Sequence, residues 1–129
     1  MTDKTDNRED IRVRVSPAYQ AADSNPLGGR YAFSYRIVIE NRSDYTLTLR
    51  KRFWTVTDAL GGVEKISSVD PADQHPVLMP GESLECLSGM HLATPWGSME
   101  GRCEFENDLG GRVWVDIPKF DLKSDVLLQ

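Results

Sequence analysis

The sequence predicts an antiparallel all-β sandwich of roughly seven to eight short strands. Apolar and polar residues alternate along several segments, which is the period of a strand with one buried face. Clusters of glycine, proline and asparagine separate these segments about every 8 to 12 residues. No segment carries apolar residues at helical spacing over the length of a helix, so a parallel sheet with crossover helices is disfavoured.

The first half of the chain contains a predicted tail, two predicted strands and the loop between them. Residues 1–10 are polar and lack a hydrophobic period, so we expect a disordered N-terminal tail followed by a single domain over 11–129. Ile11–Val15 alternates apolar and charged residues and predicts the first strand. Prolines and glycines then predict a loop over 16–29, and Tyr31–Asn41 predicts a long second strand.

The second half is predicted to consist of strands joined by tight turns. Glycine pairs at 61–62 and 110–111 predict two hairpin connections, because glycine adopts positive φ at little cost. Further strands are predicted at Tyr45–Asp58, Val63–Ile66, Ser83–Ser88, Met99–Glu106 and Val113–Ile117.

Composition and charge disfavour several classes of function. The chain has 129 residues, 40% of them hydrophobic, which is enough for a real core without a disulfide or zinc. Its net charge of −5 argues against a nucleic-acid binder. No apolar run approaches a membrane span or a signal peptide, so we expect a cytoplasmic protein that does not contact the membrane. Cys86 and Cys103 both alternate onto apolar faces and are expected to be buried thiols.

The one basic cluster is Arg50-Lys51-Arg52. On a regular strand Arg50 and Arg52 share one face and Lys51 takes the other. Such a cluster is explained by a solvated outer face or by protection of an edge strand against unwanted pairing. The alternative is a site for an anion or an acidic partner.

Two tryptophans are candidates for an interaction surface. Trp96 lies in a Pro-Trp-Gly turn, where burial is hard to arrange. Trp114 points to the face opposite Val113, Val115 and Ile117. A tryptophan on an outer face often marks a contact surface, although ordinary packing explains it equally well.

The candidate chemistry is sparse. Asp70, Asp73 and His75 lie near one loop and could supply metal ligands, but their spacing matches neither a calcium loop nor a zinc pair, and a solvated polar loop explains them better. No nucleophile and base form a recognisable catalytic pattern. We therefore expect no enzymatic activity and no cofactor.

An ordered set of motifs runs from Arg30 to Leu122. The motifs are Arg30-Tyr31-Ala32-Phe33-Ser34-Tyr35, Asn41, Arg52-Phe53-Trp54, Pro80-Gly81-Glu82, Ser88-Gly89, Thr94 to Gly101 and Ile117 to Leu122. In their order and spacing they resemble the ApaG domain family. The resemblance implies an immunoglobulin- or fibronectin type III-like sandwich. It also implies a genetic link to cobalt resistance and magnesium efflux, and in eukaryotes a protein-binding module appended to F-box and polymerase-interacting proteins.

One departure from the family bears on its suggested pyrophosphate binding. The Gly-x-Gly-x-x-Gly stretch of many family members corresponds here to Ser68, Asp70 and Asp73. Two of the three glycines are thus replaced by carboxylates, which repel phosphate.

Two hypotheses follow from these observations. The first is a non-enzymatic module that binds a protein partner through Arg50, Arg52, Trp96 and Trp114. The second is a role in divalent cation (Co²⁺ or Mg²⁺) homeostasis, or the binding of a metal or a phosphate-containing small molecule, with Asp70, Asp73 and His75 as the ligands of a cation. Both leave the oligomeric state open.

Overall fold

The computed structural model describes residues 4–7, 10–69 and 75–124. These residues form β-strands joined by turns, with two short 3-10 turns in the loop after the second strand. The strands are β1 (Lys4–Asn7), β2 (Ile11–Tyr19), β3 (Tyr31–Asn41), β4 (Leu47–Asp58), β5 (Val63–Val69), β6 (Val77–Leu78), β7 (Ser83–Leu92), β8 (Trp96–Asn107) and β9 (Arg112–Lys123).

The strands build two antiparallel sheets. The first sheet has the order β1-β2-β3-β7, and the second has the order β5-β4-β8-β9, with the two-residue strand β6 beside β4. Successive hairpins and a return of β7 to the first sheet give the connectivity of a sandwich rather than a simple meander. The prediction of an immunoglobulin- or fibronectin type III-like antiparallel sandwich is confirmed.

The N-terminal segment differs from the expectation of a disordered tail over 1–10. Lys4–Asn7 forms strand β1 and pairs with Arg12–Val15 of β2 in an antiparallel register. The strand was not predicted because its sequence has no hydrophobic period. Backbone pairing at the edge of a sheet does not require one.

The core forms where the alternating side chains of the two sheets meet. On β2 and β3 alternate residues are buried and most of their neighbours are more exposed, as the period of the sequence predicted; Ala32 of β3 is buried as well. On β9 the same holds for Val115 and Ile117, and Trp114 faces the other way. The fully buried residues of largest volume are Phe33, Phe105, Phe120, Ile11, Ile39, Leu47, Leu49 and Leu122.

Buried Asn41 holds the turn after β3 in place. Its side-chain amide donates to the carbonyl oxygens of Tyr45 and Leu78 at 2.8 and 3.0 Å. Its Oδ1 accepts from the backbone N–H and the hydroxyl of Ser43 at 3.0 and 2.6 Å. An asparagine supplies both donors and an acceptor to a buried turn, so the amide is satisfied on both sides.

The two lateral edges of the sandwich differ. On one side β1 and β2 of the first sheet contact β9 of the second. On the other side the edge strands are β7 and β5, and every residue of β5 is exposed. The sandwich is therefore closed along β2 and β9 and open between β5 and β7.

Candidate functional surfaces and an inter-sheet cavity

Strand β4 contains a β-bulge at Arg50. Leu49 and Lys51 pair with consecutive residues of β8, so Arg50 is an extra residue in the ladder. An extra residue on one strand moves every later side chain to the opposite face. The prediction that Arg50 and Arg52 share a face is therefore wrong: Arg50 lies on the outer side of the sheet, and Arg52 points between the sheets.

On the outer side, Arg50 is held by two neighbours. Its Nη1 lies 2.7 Å from Nδ1 of His75, and its Nη2 lies 3.3 Å from a carboxylate oxygen of Glu106. A guanidinium has only donors, so Nδ1 of His75 is the acceptor in this contact. Lys51 and Arg112 lie beside this group around a shallow depression.

The contact with Arg50 bears on the metal hypothesis. It engages the Nδ1 lone pair of His75, and a guanidinium beside a site repels a cation. Asp70 and Asp73, the other two predicted ligands, lie outside the described residues. Within the described ranges no group of three or more His, Cys, Asp and Glu side chains is arranged to hold a metal ion.

On the inner side, Arg52 lines a cavity of about 460 Å³ between the two sheets. It stands opposite Cys103 of β8 and Ser68 of β5 in the registers of these strands. Paired residues of antiparallel strands share a face. Because Cys103 is buried, the register places the half-buried Arg52 among inward-facing side chains.

The cavity has an apolar interior and a more polar rim. Its interior is lined by Ile37, Ile39, Leu49 and Ile117, and by the rings of Tyr35 and Trp54. These two rings pack together with centroids 5.5 Å apart. The rim includes Leu87, which is 75% exposed, so the cavity opens to solvent between β5 and β7.

The two cysteines line the same cavity as thiols rather than as a disulfide. Burial raises the pKa of the Cys103 thiol to about 12; Arg52 acts against this rise and Cys86 adds to it. The thiol of Cys103 is therefore neutral at physiological pH. Burial of Cys103 was expected, whereas Cys86 is only half-buried because it lies on the edge strand β7.

A second feature occupies the outer face of the β4–β8–β9 sheet. The Arg102 guanidinium carbon lies 4.5 Å from the centroid of the Trp114 ring and 5.5 Å from that of Phe53. The two rings are themselves 5.9 Å apart. These three residues, here called the outer-face cluster, occupy neighbouring positions on three adjacent strands, and Trp114 remains 38% exposed.

Trp96 lies at the other end of the same sheet. It is 44% exposed and opens strand β8, instead of lying within a turn as predicted. The Thr94 hydroxyl donates to the Trp96 carbonyl at 2.7 Å and accepts from the Ala59 N–H at 3.1 Å. Trp114 pairs with Glu104, so the rise of a strand separates the two tryptophans by roughly 25 Å. The four predicted partner-binding residues thus do not form one surface.

The glycines of the Thr94 to Gly101 motif permit close packing. A Cβ on Gly101 would lie 2.7 Å from Cε3 of Trp54 and 2.5 Å from the carbonyl oxygen of Phe53. A Cβ on Gly97 would lie 2.5 Å from the carbonyl oxygen of Thr57. Glycine at these two positions therefore allows neighbouring strands to pack closely, and at Gly101 it leaves room for the Trp54 ring beside the cavity.

Phe53 and Arg102 were missed as site residues. The sequence could have indicated Phe53, because Phe53 and Trp54 are adjacent on a strand and point to opposite faces. Only one of the two rings can enter the core, so the other must lie on the outer face. Arg102 carried none, because its place between two rings depends on the pairing of three strands.

Together, the two sheets, their strand order and these packing contacts define an antiparallel β-sandwich protein of the immunoglobulin type. The family model described as the ApaG domain matches residues 21–107. The chain belongs to the ApaG domain family.

Individual relatives agree with this assignment. A protein of Rhizobium leguminosarum bv. trifolii named Protein ApaG is 40% identical over 121 residues, which cover 94% of this chain and 93% of that protein. Protein ApaG of Allorhizobium ampelinum is 43% identical over 115 residues, or 89% of this chain and 88% of that one. The crystal structure of a Bordetella pertussis protein described as ApaA superposes with a TM-score of 0.84 at 32% identity, covering 90% of this chain and 94% of that chain.

No helix in the described part of the chain is long and apolar enough to cross a bilayer.

Proposed function

We propose that this ApaG-domain chain is a non-enzymatic binding module that contacts a protein partner through the outer face of the β4–β8–β9 sheet. The observation that carries the proposal is the outer-face cluster, in which the Arg102 guanidinium is held by the rings of Phe53 and Trp114. Tryptophan and arginine are enriched among the few residues that dominate the energy of protein interfaces.

The geometry of the cluster suits such a role. Arg102 is already ordered by two rings, so fixing it on binding costs less side-chain entropy than fixing a mobile arginine. Trp114 is accessible over more than a third of its surface and can bury further apolar area.

Charged residues surround the cluster as a polar rim would. Arg112 is exposed and approaches Glu104 at 3.9 Å, and the exposed Lys51 also pairs with Glu104 in the ladder. A rim of this kind affects the rate of association and the choice of partner more than the affinity itself. Arg50 lies beside Lys51 and Arg112 on the outer face. Arg52 instead lines the cavity, and Trp96 lies at the far end of the sheet.

Two further points support a binding role in the cytoplasm. Cys86 and Cys103 are both thiols, as a reducing compartment would keep them. The resemblance to a domain appended to F-box proteins also favours protein binding over catalysis.

The proposal is tested by partner retrieval with two matched tryptophan variants. Purified wild-type protein, W114A and W96A are immobilised, and partners are identified from the extract of the source cells after chemical cross-linking. We expect wild type and W96A to retrieve the same protein reproducibly. W114A should bind that protein at least about tenfold more weakly, because truncation of a central tryptophan typically costs about 2 kcal/mol or more.

Thermal unfolding of all three proteins separates a binding defect from a folding defect. Retrieval is therefore carried out well below the lowest melting temperature of the set. Equal retrieval by W114A and wild type, or a lack of any partner that exceeds an unrelated β-sandwich control, would overturn the proposal.

A further inference from the structure

Strand β5 is an exposed edge of the second sheet. Among the described strands it pairs with β4 alone, and each of its seven residues is exposed. Three of these residues have large apolar side chains: Val63 is 58% exposed, Ile66 41% and Val69 62%. The free side of an edge strand presents backbone N–H and C=O groups that can pair with a strand of another chain. β5 is therefore a candidate contact surface.

The other three edge strands of the described structure carry features that oppose such pairing. β1 has only four residues, and all four are polar. β9 contains Pro118 at a register shift and is flanked by β1 and β2 of the first sheet. β7 contains Gly89, and a glycine weakens a strand. β5 has neither a glycine nor a proline, so its edge has the least protection against pairing.

The sequence of β5 is complementary to itself when two copies run antiparallel. With Ile66 opposite Ile66 of the second copy, all seven residues pair, and Val63 of each copy stands opposite Val69 of the other. In this register the charged residues Glu64 and Lys65 each stand opposite a serine. Registers centred on Glu64 or on Lys65 pair fewer residues and set like charges against each other. The register centred on Ile66 is therefore favoured.

From these observations we propose that β5 pairs with β5 of a second copy of this chain, which gives a dimer with one continuous sheet across its two-fold axis. Backbone hydrogen bonds join the two strands, and the valine pairs at both ends and the isoleucine pair at the axis add apolar contacts. Because the same strand serves in both copies, the assembly closes at two chains. The outer-face cluster belongs to β4, β8 and β9, so the proposal is independent of partner binding there.

The size of the contact predicts a weak dimer. A contact between two seven-residue strands lies at or below the low end of the range of roughly 1,200 to 2,000 Å² that is usual for stable complexes. We therefore expect a dissociation constant on the order of 100 μM, so that the equilibrium is observed only when the protein concentration is varied over a wide range.

The first test measures the mass of the wild-type protein by sedimentation equilibrium from about 10 μM to about 1 mM. A reducing agent is present, so that intermolecular disulfides do not form. We expect a reversible equilibrium between monomer and dimer without larger species. A monomer at the highest concentration would overturn the proposal. A series of ever larger species would also overturn it, because head-to-tail pairing of β5 with β7 would give an open-ended assembly.

The second test uses two double variants that differ only at residue 63. In the proposed register V63E/V69E sets carboxylates opposite each other at both ends of the strand pair and should weaken the dimer at least about tenfold. V63K/V69E sets an ammonium opposite each carboxylate instead. It should dimerise about tenfold more tightly than V63E/V69E at low salt, and added salt should reduce this difference.

L87K is the matched control, because Leu87 is exposed on β7, the other strand of the open edge. It should dimerise like the wild type, and thermal unfolding confirms that each variant is folded. Equal dimerisation of V63E/V69E and V63K/V69E would overturn the proposal, as would loss of the dimer in L87K alone. The wild-type series needs no variant, so the proposal remains falsifiable if a double variant does not fold.

Discussion

The two lateral edges of the sandwich show how one alternating pattern can lead to two different structures. Along the closed edge, Val13 and Val15 of β2 and Val115 and Leu122 of β9 are all fully buried, and the first sheet contacts the second. Along the open edge, β5 is exposed throughout and Leu87 of β7 is 75% exposed. The closed edge is a packed core, and the open edge is the entrance to a cavity.

The open edge carries features that the closed edge lacks. At the closed edge the buried side chains of β2 and β9 pack in the core. At the open edge three features go beyond packing: a bulge, an inward arginine and a solvent-accessible cavity with an apolar lining.

The largest expected effect comes from the same substitution at the two edges. L122A removes a fully buried side chain at the closed edge and should lower the free energy of unfolding by about 2 to 5 kcal/mol. L87A at the open edge should change it by no more than about 0.5 kcal/mol, because the side chain is already in water. Chemical denaturation of both variants measures the contrast; equal losses would mean that the two edges are packed alike.

The closed edge could be predicted from the sequence where its strands are regular, that is, along β2 and along β9 before the register shift that follows Ile117. Alternation in Ile11–Val15 and Val113–Ile117 identified the buried faces correctly, and the glycine pairs identified the hairpins. The N-terminal strand was missed, since a strand that adds only backbone pairing leaves no hydrophobic period.

The open edge could not be predicted in the same way. No glycine or proline marks the bulge at Arg50, so the local sequence gives no reason to shift the faces of β4. The inward direction of Arg52, the cavity and the outer-face cluster all depend on which residues of β8 stand opposite β4. That register is decided by the whole sheet rather than by any one segment.

A second contrast is between Gly101 in the wall of the cavity and Gly89 on the edge strand β7. G101A places a methyl group against the Trp54 ring and the Phe53 carbonyl, at 2.7 and 2.5 Å, and should cost about 1 to 3 kcal/mol. G89A on the edge strand β7 meets only the Phe33 carbonyl at 3.2 Å and should cost less.

Both glycine variants are compared by thermal unfolding and by the NMR signal of the Trp54 indole. G101A should shift this signal, because the indole must move away from the added methyl group, and G89A should leave it in place. A cost for G89A equal to that of G101A would contradict the view that Gly101 is required by its contact with Trp54.

The smallest expected effect concerns how dry the inner end of the cavity is. The pKa of Cys103 is about 12 in the folded chain against 9.0 as its ordinary value, chiefly because burial disfavours the thiolate. A raised folded pKa leaves stability intact below pH 9 and removes it as the pH rises from about 9 toward 12. By pH 10 this amounts to about 1 kcal/mol for a single thiol, because the unfolded chain gives up its proton first.

The measurement is the free energy of unfolding at pH 7 and pH 10 for the wild type and C103A. Every other ionisable group is common to both proteins, so the difference between their two pH dependences isolates Cys103. Wild type should lose about 1 kcal/mol more than C103A over this interval. Equal losses would mean that solvent reaches Cys103 through the open edge, so that the inner end of the cavity is hydrated. A larger loss for wild type would mean that water is excluded at Cys103, although the same cavity opens to solvent at its rim.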